Sequence, residues 1–266
     1  MDNFYLCNPD DNKSCGACCG LYNFKDHSEE FINKLLIDRR REFNNFGNNL
    51  SDYKKIREEK EKDYILSKTI YTCPFLSFID NNTKKVGCLI HPKVIDKDLR
   101  DVSFYGSKVC SEHKCTAYIY YTPVEIKAVT KFTHTWYVYG LVLHDIDFVR
   151  SFFNLIEDGI SRKLKIKDLH YKQTRKLWEE YFLLKKNWPY MNKKSNILDK
   201  YEFDNKLFKI RELNTFGLLE KNSNIYKILR ALESNFNNQR DFTNGASIIS
   251  NIINKLIEIY LNIDNI

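Results

Sequence analysis

Thr122-Pro123-Val124-Glu125 is where the chain changes character. Thr122 suits a helix cap, Pro123 the first helical position, and Glu125 the return contact of a capping box. From there the apolar pattern is helical almost to the end. Phe148, Phe152, Phe153 and Ile156 form one face, and Leu177, Tyr181, Phe182 and Leu184 another. From about Thr243, Ile248, Ile249, Ile252, Ile253, Leu256, Ile257 and Tyr260 make a wide apolar stripe, read as core packing with a dimer face as the alternative. Upstream the pattern is shorter and less regular. Asp26 and Glu29 resemble a capping box ahead of Phe31, Ile32, Leu35 and Leu36. Residues 51–68 carry few apolar positions (Tyr53, Ile56, Tyr64, Ile65) and read as a solvated helix or an insertion. Asn81-Asn82 and Gly87 bracket a short hairpin. The expectation is a mainly α protein. A small, irregular, cysteine-rich metal-binding domain spans residues 1–121, a helical domain spans 122–266, and no internal repeat is visible.

Composition agrees with that class. Nine Gly and five Pro in 266 residues are less than half the usual share of about 12%, which disfavours turn-rich β folds, collagen-like repeats and flexible linkers. A chain 43% hydrophobic and 29% charged is neither disordered nor membrane-embedded. The most apolar run, Trp136 to Leu143, has eight residues where a span needs about 20. With no leader pattern at Met1 to Cys7, a cytoplasmic location without a membrane partner is expected. The net charge is +7, and the excess lies in 162–212, with fifteen Lys and Arg against seven Asp and Glu. Trp178, Trp188, Tyr171, Tyr181 and Tyr190 interleave with those cations. They would suit a nucleic-acid surface, but core-facing rings with outward lysines are the favoured reading.

All eight cysteines lie between Cys7 and Cys115, a clustering expected by chance on the order of once in a thousand. They fall in four segments: Cys7 with Cys15-Gly16-Ala17-Cys18-Cys19, then Cys73-Pro74-Phe75-Leu76, then Gly87-Cys88-Leu89-Ile90-His91, then Cys110 through Cys115. A two-residue gap between Cys15 and Cys18 lets both sulfurs turn onto one centre, and Gly16 relieves the turn. Adjacent Cys18 and Cys19 tend to point apart and so serve two centres, or one centre and its surroundings. Metal coordination is favoured over core cysteines, disulfides or a redox relay, because a reducing compartment does not keep disulfides. The metal sites read from the sequence are Cys7, Cys15, Cys18, Cys19, Cys73, Cys88, Cys110 and Cys115. The cofactor is a zinc ion or an iron–sulfur cluster, and the charge sums leave both open.

The order Cys15-Gly16-Ala17-Cys18-Cys19, Cys73-Pro74-Phe75-Leu76, Gly87-Cys88-Leu89-Ile90 and Cys110 resembles the YkgJ-type cysteine-cluster proteins, described as zinc- or iron-chelating domains. The resemblance covers residues 4–121. It departs from the family at Cys7, which seven residues separate from Cys15 where the family has a gap of two. It departs again before Cys110, where an Arg-Pro pair is missing and Arg100 is the nearest substitute, suited to a carboxylate or to thiolate charge. A subset resembling this family methylates flagellin lysines with S-adenosylmethionine and carries an iron–sulfur cluster. The resemblance therefore implies a metal-binding protein, with a lysine methyltransferase as the alternative and a zinc-dependent nucleic-acid module as the second. Its protein partner or substrate is not legible.

His91 and His113, each near a cysteine, read as neighbours of the ligands ahead of being ligands. His134, His144, Asp145 and Asp147 read as capping and solvated groups, with Asp145 capping the helix that opens at Phe148.

Overall fold

In the computed structural model, the described residues are 6–47, 49–192, 201–204 and 207–264. Among them the fold is mainly helical, with two short antiparallel hairpins. They form two compact units. One comprises the residues up to Tyr118 together with Thr135–Gly140; the other comprises Ile119–His134 and the residues from Leu141 onward.

In the first unit, α1 (Glu29–Phe46) buries Ile32, Leu35, Leu36 and Arg39. Its cap is Ser28, whose Oγ accepts from the Phe31 N–H, and not Asp26, whose carboxylate accepts from the Ser28 N–H. The capping pattern read from Asp26 is thus displaced by two residues. Helix α2 (Leu50–Glu61) corrects a second expectation. The charged stretch from residue 51 is part of the core, because Tyr53, Arg57 and Glu61 turn inward on one helical face. The Tyr53 hydroxyl donates to the carbonyls of Arg39 and Pro74, and its ring packs against Phe43, Phe46 and Phe75. Strands β1 (Leu76–Phe78) and β2 (Val86–Cys88) pair antiparallel, with Leu76 opposite Cys88. Short helices α3 (Pro92–Ile95), α4 (Gly106–Glu112) and α5 (Thr116–Tyr120) follow.

The Thr122–Glu125 box forms as read. Thr122 Oγ1 accepts from the Glu125 N–H, and Glu125 Oε2 accepts from the Thr122 N–H, opening α6 (Pro123–Phe132). Helix α7 (Trp136–Leu143) is too short and no other described helix is long and apolar enough to cross a membrane. In the second unit, Asp145 caps α8 (Ile146–Gly159) through the Phe148 N–H. Phe148, Phe152, Phe153 and Ile156 are buried against α9 (Lys172–Asn187), whose Trp178, Tyr181 and Phe182 face them. Phe152 stacks on Tyr181 with centroids 3.5 Å apart, and Phe148 stacks on the other side at 4.4 Å. Strands β3 (Tyr201–Asp204) and β4 (Leu207–Ile210) and helix α10 (Asn224–Ala231) lead to α11 (Gln239–Asp264). That last helix starts four residues before the sequence reading places it, since the Asn238 side chain accepts from the Asp241 N–H. Ile249, Ile252, Ile253, Leu256 and Tyr260 are buried, so most of the stripe is core.

Lys185 is buried on α9, with Nζ 3.0 Å from Asp145 Oδ2 and 2.6 Å from the Ala231 carbonyl. Burial opposes the Asp145 charge, but the cation of Lys185, the neighbouring His144 and the capped N–H hold its carboxyl below the usual range. Lys185→Met keeps the stem and removes the ammonium. It is expected to cost about 2–3 kcal/mol, read as a lowered urea midpoint, because a charge-assisted bond to a buried carboxylate is lost.

Candidate metal centre

The thiols are delivered by four backbone features of the first unit. A 3-10 turn over Ala17–Cys19 ends at Gly20, with the Cys19 N–H donating to the Gly16 carbonyl and the Gly20 N–H to that of Ala17. Cys73 is tied to it, its N–H donating to the Cys19 carbonyl at 2.9 Å. Cys88 stands opposite Leu76 at the end of the hairpin, and the Leu89 N–H donates to the Phe75 carbonyl. Cys110 is on α4 and Cys115 begins the turn into α5, where the Tyr118 N–H donates to its carbonyl.

All eight are free cysteines, and their charges act on one another mainly within two sets, with Cys7 reaching Cys19 across them. Cys19, Cys73, Cys88 and Cys110 form an inner group. Cys73 is buried in an apolar cluster with Leu50, Tyr53, Phe75 and Ile90, against which Cys19 and Cys88 also pack. Burial pushes Cys19 well above the usual thiol range, and the charges of Cys73, Cys88, Cys110 and Cys7 add to it. Burial likewise takes Cys88 up to about 12, with Cys73 and Cys110 contributing. Cys73 is raised by burial against the opposing Phe75 N–H and Arg39 cation.

Cys7, Cys15, Cys18 and Cys115 form an outer group. The Cys15 N–H donates to the Cys7 carbonyl at 2.9 Å, and the Leu6 N–H donates to the Tyr118 hydroxyl at 2.7 Å, which carries Cys7 to α5. Cys7 is exposed as a residue, but the protein packed round its sulfur and then the Cys115 charge raise its thiol to about 11. Cys15 is raised by burial and then by Cys7. The neighbouring thiols of Cys18 and Cys115 act on one another, lifting Cys18 and lowering Cys115.

At four of the sulfurs the same local device recurs. Cys15, Cys73, Cys88 and Cys115 each receive the N–H two residues ahead, from Ala17, Phe75, Ile90 and Ala117. Donors aimed at sulfur favour the thiolate over the thiol, the state a metal requires. Among the described residues, however, no three His, Cys, Asp or Glu side chains stand close enough to hold a metal ion between them. The sulfurs are gathered in neighbourhoods, short of ligating distance.

One cation missing from the sequence reading stands beside Cys73. Arg39 is fully buried, and its guanidinium donates to the carbonyls of Cys73 and Leu76 at 3.0 Å each while pairing with Glu61. Its signal was an arginine in the apolar register of Ile32, Leu35 and Leu36. Of the two partners read for Arg100, the carboxylate is present. It pairs with Asp98 at 2.8 and 2.7 Å, and its charge bears on Cys110 and Cys88. His91 caps α3, Nδ1 accepting from the Lys93 N–H, and burial lowers its pKa. His113 ends α4 with its charge on Cys115. His134 pairs with Glu179 at 3.0 Å.

Glycine is required twice in this site. Gly16 has an ordinary φ of −117°, and its role is steric: a Cβ there would lie 2.8 Å from Leu76 Cδ2. This replaces the expected relief of backbone strain. Gly20 has φ +80°, and a Cβ would meet the Tyr71 carbonyl and lie 2.8 Å from Thr72 Cα. Gly20→Ala is expected to cost about 2–3 kcal/mol, seen in the urea midpoint, from the left-handed backbone and the clash together.

In the basic stretch, Trp178, Tyr181 and Trp188 are buried in the second unit and offer no stacking platform. Its residues 193–200, 205 and 206 lie outside the described residues. Comparison of the chain with family models, curated proteins and solved structures gives no match.

Proposed function

We propose that this is a metal-binding cysteine-cluster protein of the YkgJ type, its first unit a small, irregular thiol-rich domain that holds zinc or an iron–sulfur centre. The observation that supports the reading is that all eight free cysteines, from four separate segments, fall in the first unit, where several raise one another's thiols and backbone N–H groups act on four of the sulfurs. The donor set fits: four thiolates complete a tetrahedral zinc or ligate a cluster. Cys19, Cys73, Cys88 and Cys110 would hold one centre, and Cys7, Cys15, Cys18 and Cys115 the other. Such a centre supplies cross-linking of the four segments when it is zinc, and electron storage when it is iron–sulfur. The chain itself supplies the donors, the two guanidinium groups that offset thiolate charge, and the apolar packing that keeps water from Cys73.

The test is anaerobic purification followed by iron, zinc and acid-labile sulfide measured per chain. Sulfide with absorbance near about 400 nm identifies a cluster, and a colourless protein with zinc identifies structural sites. A metal-free protein that takes up neither ion when its thiols are fully reduced would overturn the reading.

A further inference from the structure

We infer that the second unit carries a docking face for duplex nucleic acid, built by α6, the 3-10 segment Ile166–His170 and the first half of α9, which grips the phosphate backbone without reading its sequence. The face contains no cysteine and acts independently of any metal in the first unit.

Its cations come from three elements that pack on one another. On α6, Lys127 and Lys131 stand one turn apart. Lys131 Nζ donates to the Leu169 carbonyl at 2.7 Å and lies 3.3 Å from His170 Nδ1. One ammonium is thereby fixed in the seam between α6 and the 3-10 segment, with no carboxylate among its bonds. Burial lowers its pKa, and the charges of Lys127 and Arg175 lower it further, so cations of α6 and α9 crowd the same place. Crowded like charges raise the local potential and draw in an anion.

The seam is flanked by further cations. Lys165 and Lys167 are exposed at the start of the 3-10 segment, and Lys172, Arg175 and Lys176 on the outward side of α9. From residue 163 to 176 the one carboxylate is Asp168, which is fully buried, accepting from the Lys165 N–H and pairing with Arg162. Bordering carboxylates are already engaged: Glu179 by Arg175 at 2.7 Å and His134 at 3.0 Å, and Asp264 by Arg162 at 2.6 Å. Glu180, exposed one turn past Lys176, bounds the face. Among the described residues no carboxylate lies within ion-pair reach of Lys127, Lys165, Lys167, Lys172 or Lys176.

The surroundings of these cations select the partner. Single strands are held on exposed aromatic rings, but Trp178 and Tyr181 are buried and Tyr171 packs on Tyr260, 6.2 Å between centroids. A membrane surface is held by an apolar helical face beneath the lysines, and between Lys165 and Lys167 stands the single Ile166. A duplex needs neither ring nor apolar anchor. It offers one negative charge per about 1.7 Å of its axis, and contacts to that array are blind to sequence.

The experiment titrates the full chain, as purified, against a fluorescein-labelled DNA duplex of about 24 base pairs and reads anisotropy at about 50 and 200 mM salt. Contact with about four phosphates predicts that affinity falls about a hundredfold between the two. K167Q/K172Q/K176Q should weaken binding at the lower salt by about tenfold or more and flatten the salt dependence. K34Q/K55Q/K84Q removes the same charge from exposed positions of the first unit and should change affinity by less than about threefold. Far-UV circular dichroism checks that both variants are folded. No binding at about 50 mM salt overturns the inference, as do equal losses in the two variants or tighter binding of single-stranded oligothymidine. Capture by phosphatidylserine vesicles that the duplex fails to displace overturns it in favour of a lipid surface.

Discussion

Glu61→Ala is expected to destabilise the first unit by about 3–5 kcal/mol, because it leaves two buried guanidinium groups without their shared carboxylate. Arg39 Nε donates to Glu61 Oε1 at 2.9 Å and Arg57 Nε donates to the same oxygen at 2.8 Å, while a second arm of Arg39 reaches Oε2. Arg57 has another partner in Glu42, at 3.0 Å, but Glu42 is also shared with Lys60. Arg39 has no such alternative carboxylate near it in the network, and its remaining bonds go to the Cys73 and Leu76 carbonyls. Loss of Glu61 is therefore felt at the thiols as well as in the melting temperature. The pH dependence has a definite sign. Burial pushes the Glu61 carboxyl up, but Arg39 and Arg57 outweigh it and hold the pKa below its ordinary value. The contribution is whole above the unfolded carboxylate range and is lost as pH falls through the folded pKa. Acidification should weaken wild type more than Glu61→Gln, measured as thermal midpoints across the acid range.

This network explains why the helical half was easier to read than the cysteine-rich half. From Thr122 onward each helix advertises itself locally: a capping box, an Asp cap and long apolar faces whose period matches their burial. In α2 the inward face is Tyr53, Arg57 and Glu61, and hydrophobicity cannot register a face whose inner positions are a charged pair. Only knowing that Arg39 lies opposite would have shown that the charges satisfy one another. The thiol segments were legible as a set, since their number and spacing carry the chemistry. How those segments are tied together was not, because it follows from long-range bonds such as Leu6 to Tyr118 and Cys73 to Cys19. The same limit applies to Ser28, whose cap two residues past Asp26 was decided by where α1 had to start to bury Ile32.

On the proposed metal-binding reading, removing metal is expected to have the largest effect of all, and the strength of binding should depend steeply on pH. Apparent binding free energies of structural zinc in small domains are about 10–16 kcal/mol, and where the apo site is not preformed that energy is folding energy. Here the sulfurs are grouped but short of ligating distance, so binding must draw the four segments together. Chelation should then melt the first unit at a lower temperature, monitored at Trp136 in a chain whose Trp178 and Trp188 are replaced by Phe. The second unit, whose core is the stacked Phe148, Phe152 and Tyr181, takes its stability from those rings. The sign with pH follows from the thiols. Burial and neighbouring sulfurs raise Cys7 to about 11 and Cys88 to about 12, so both carry protons at neutral pH that a metal must displace. Affinity should rise with pH by about tenfold per unit for each proton released, and uptake should acidify a weakly buffered solution. Cys115, lowered by the neighbouring Cys18 thiol and the N–H groups of Tyr118 and Ala117, should release less than its neighbours. The proton count per zinc, taken by calorimetry in buffers of different ionisation heat, should therefore fall below four for the outer group. A pH-independent affinity, or uptake without proton release, would be incompatible with thiols as the ligands.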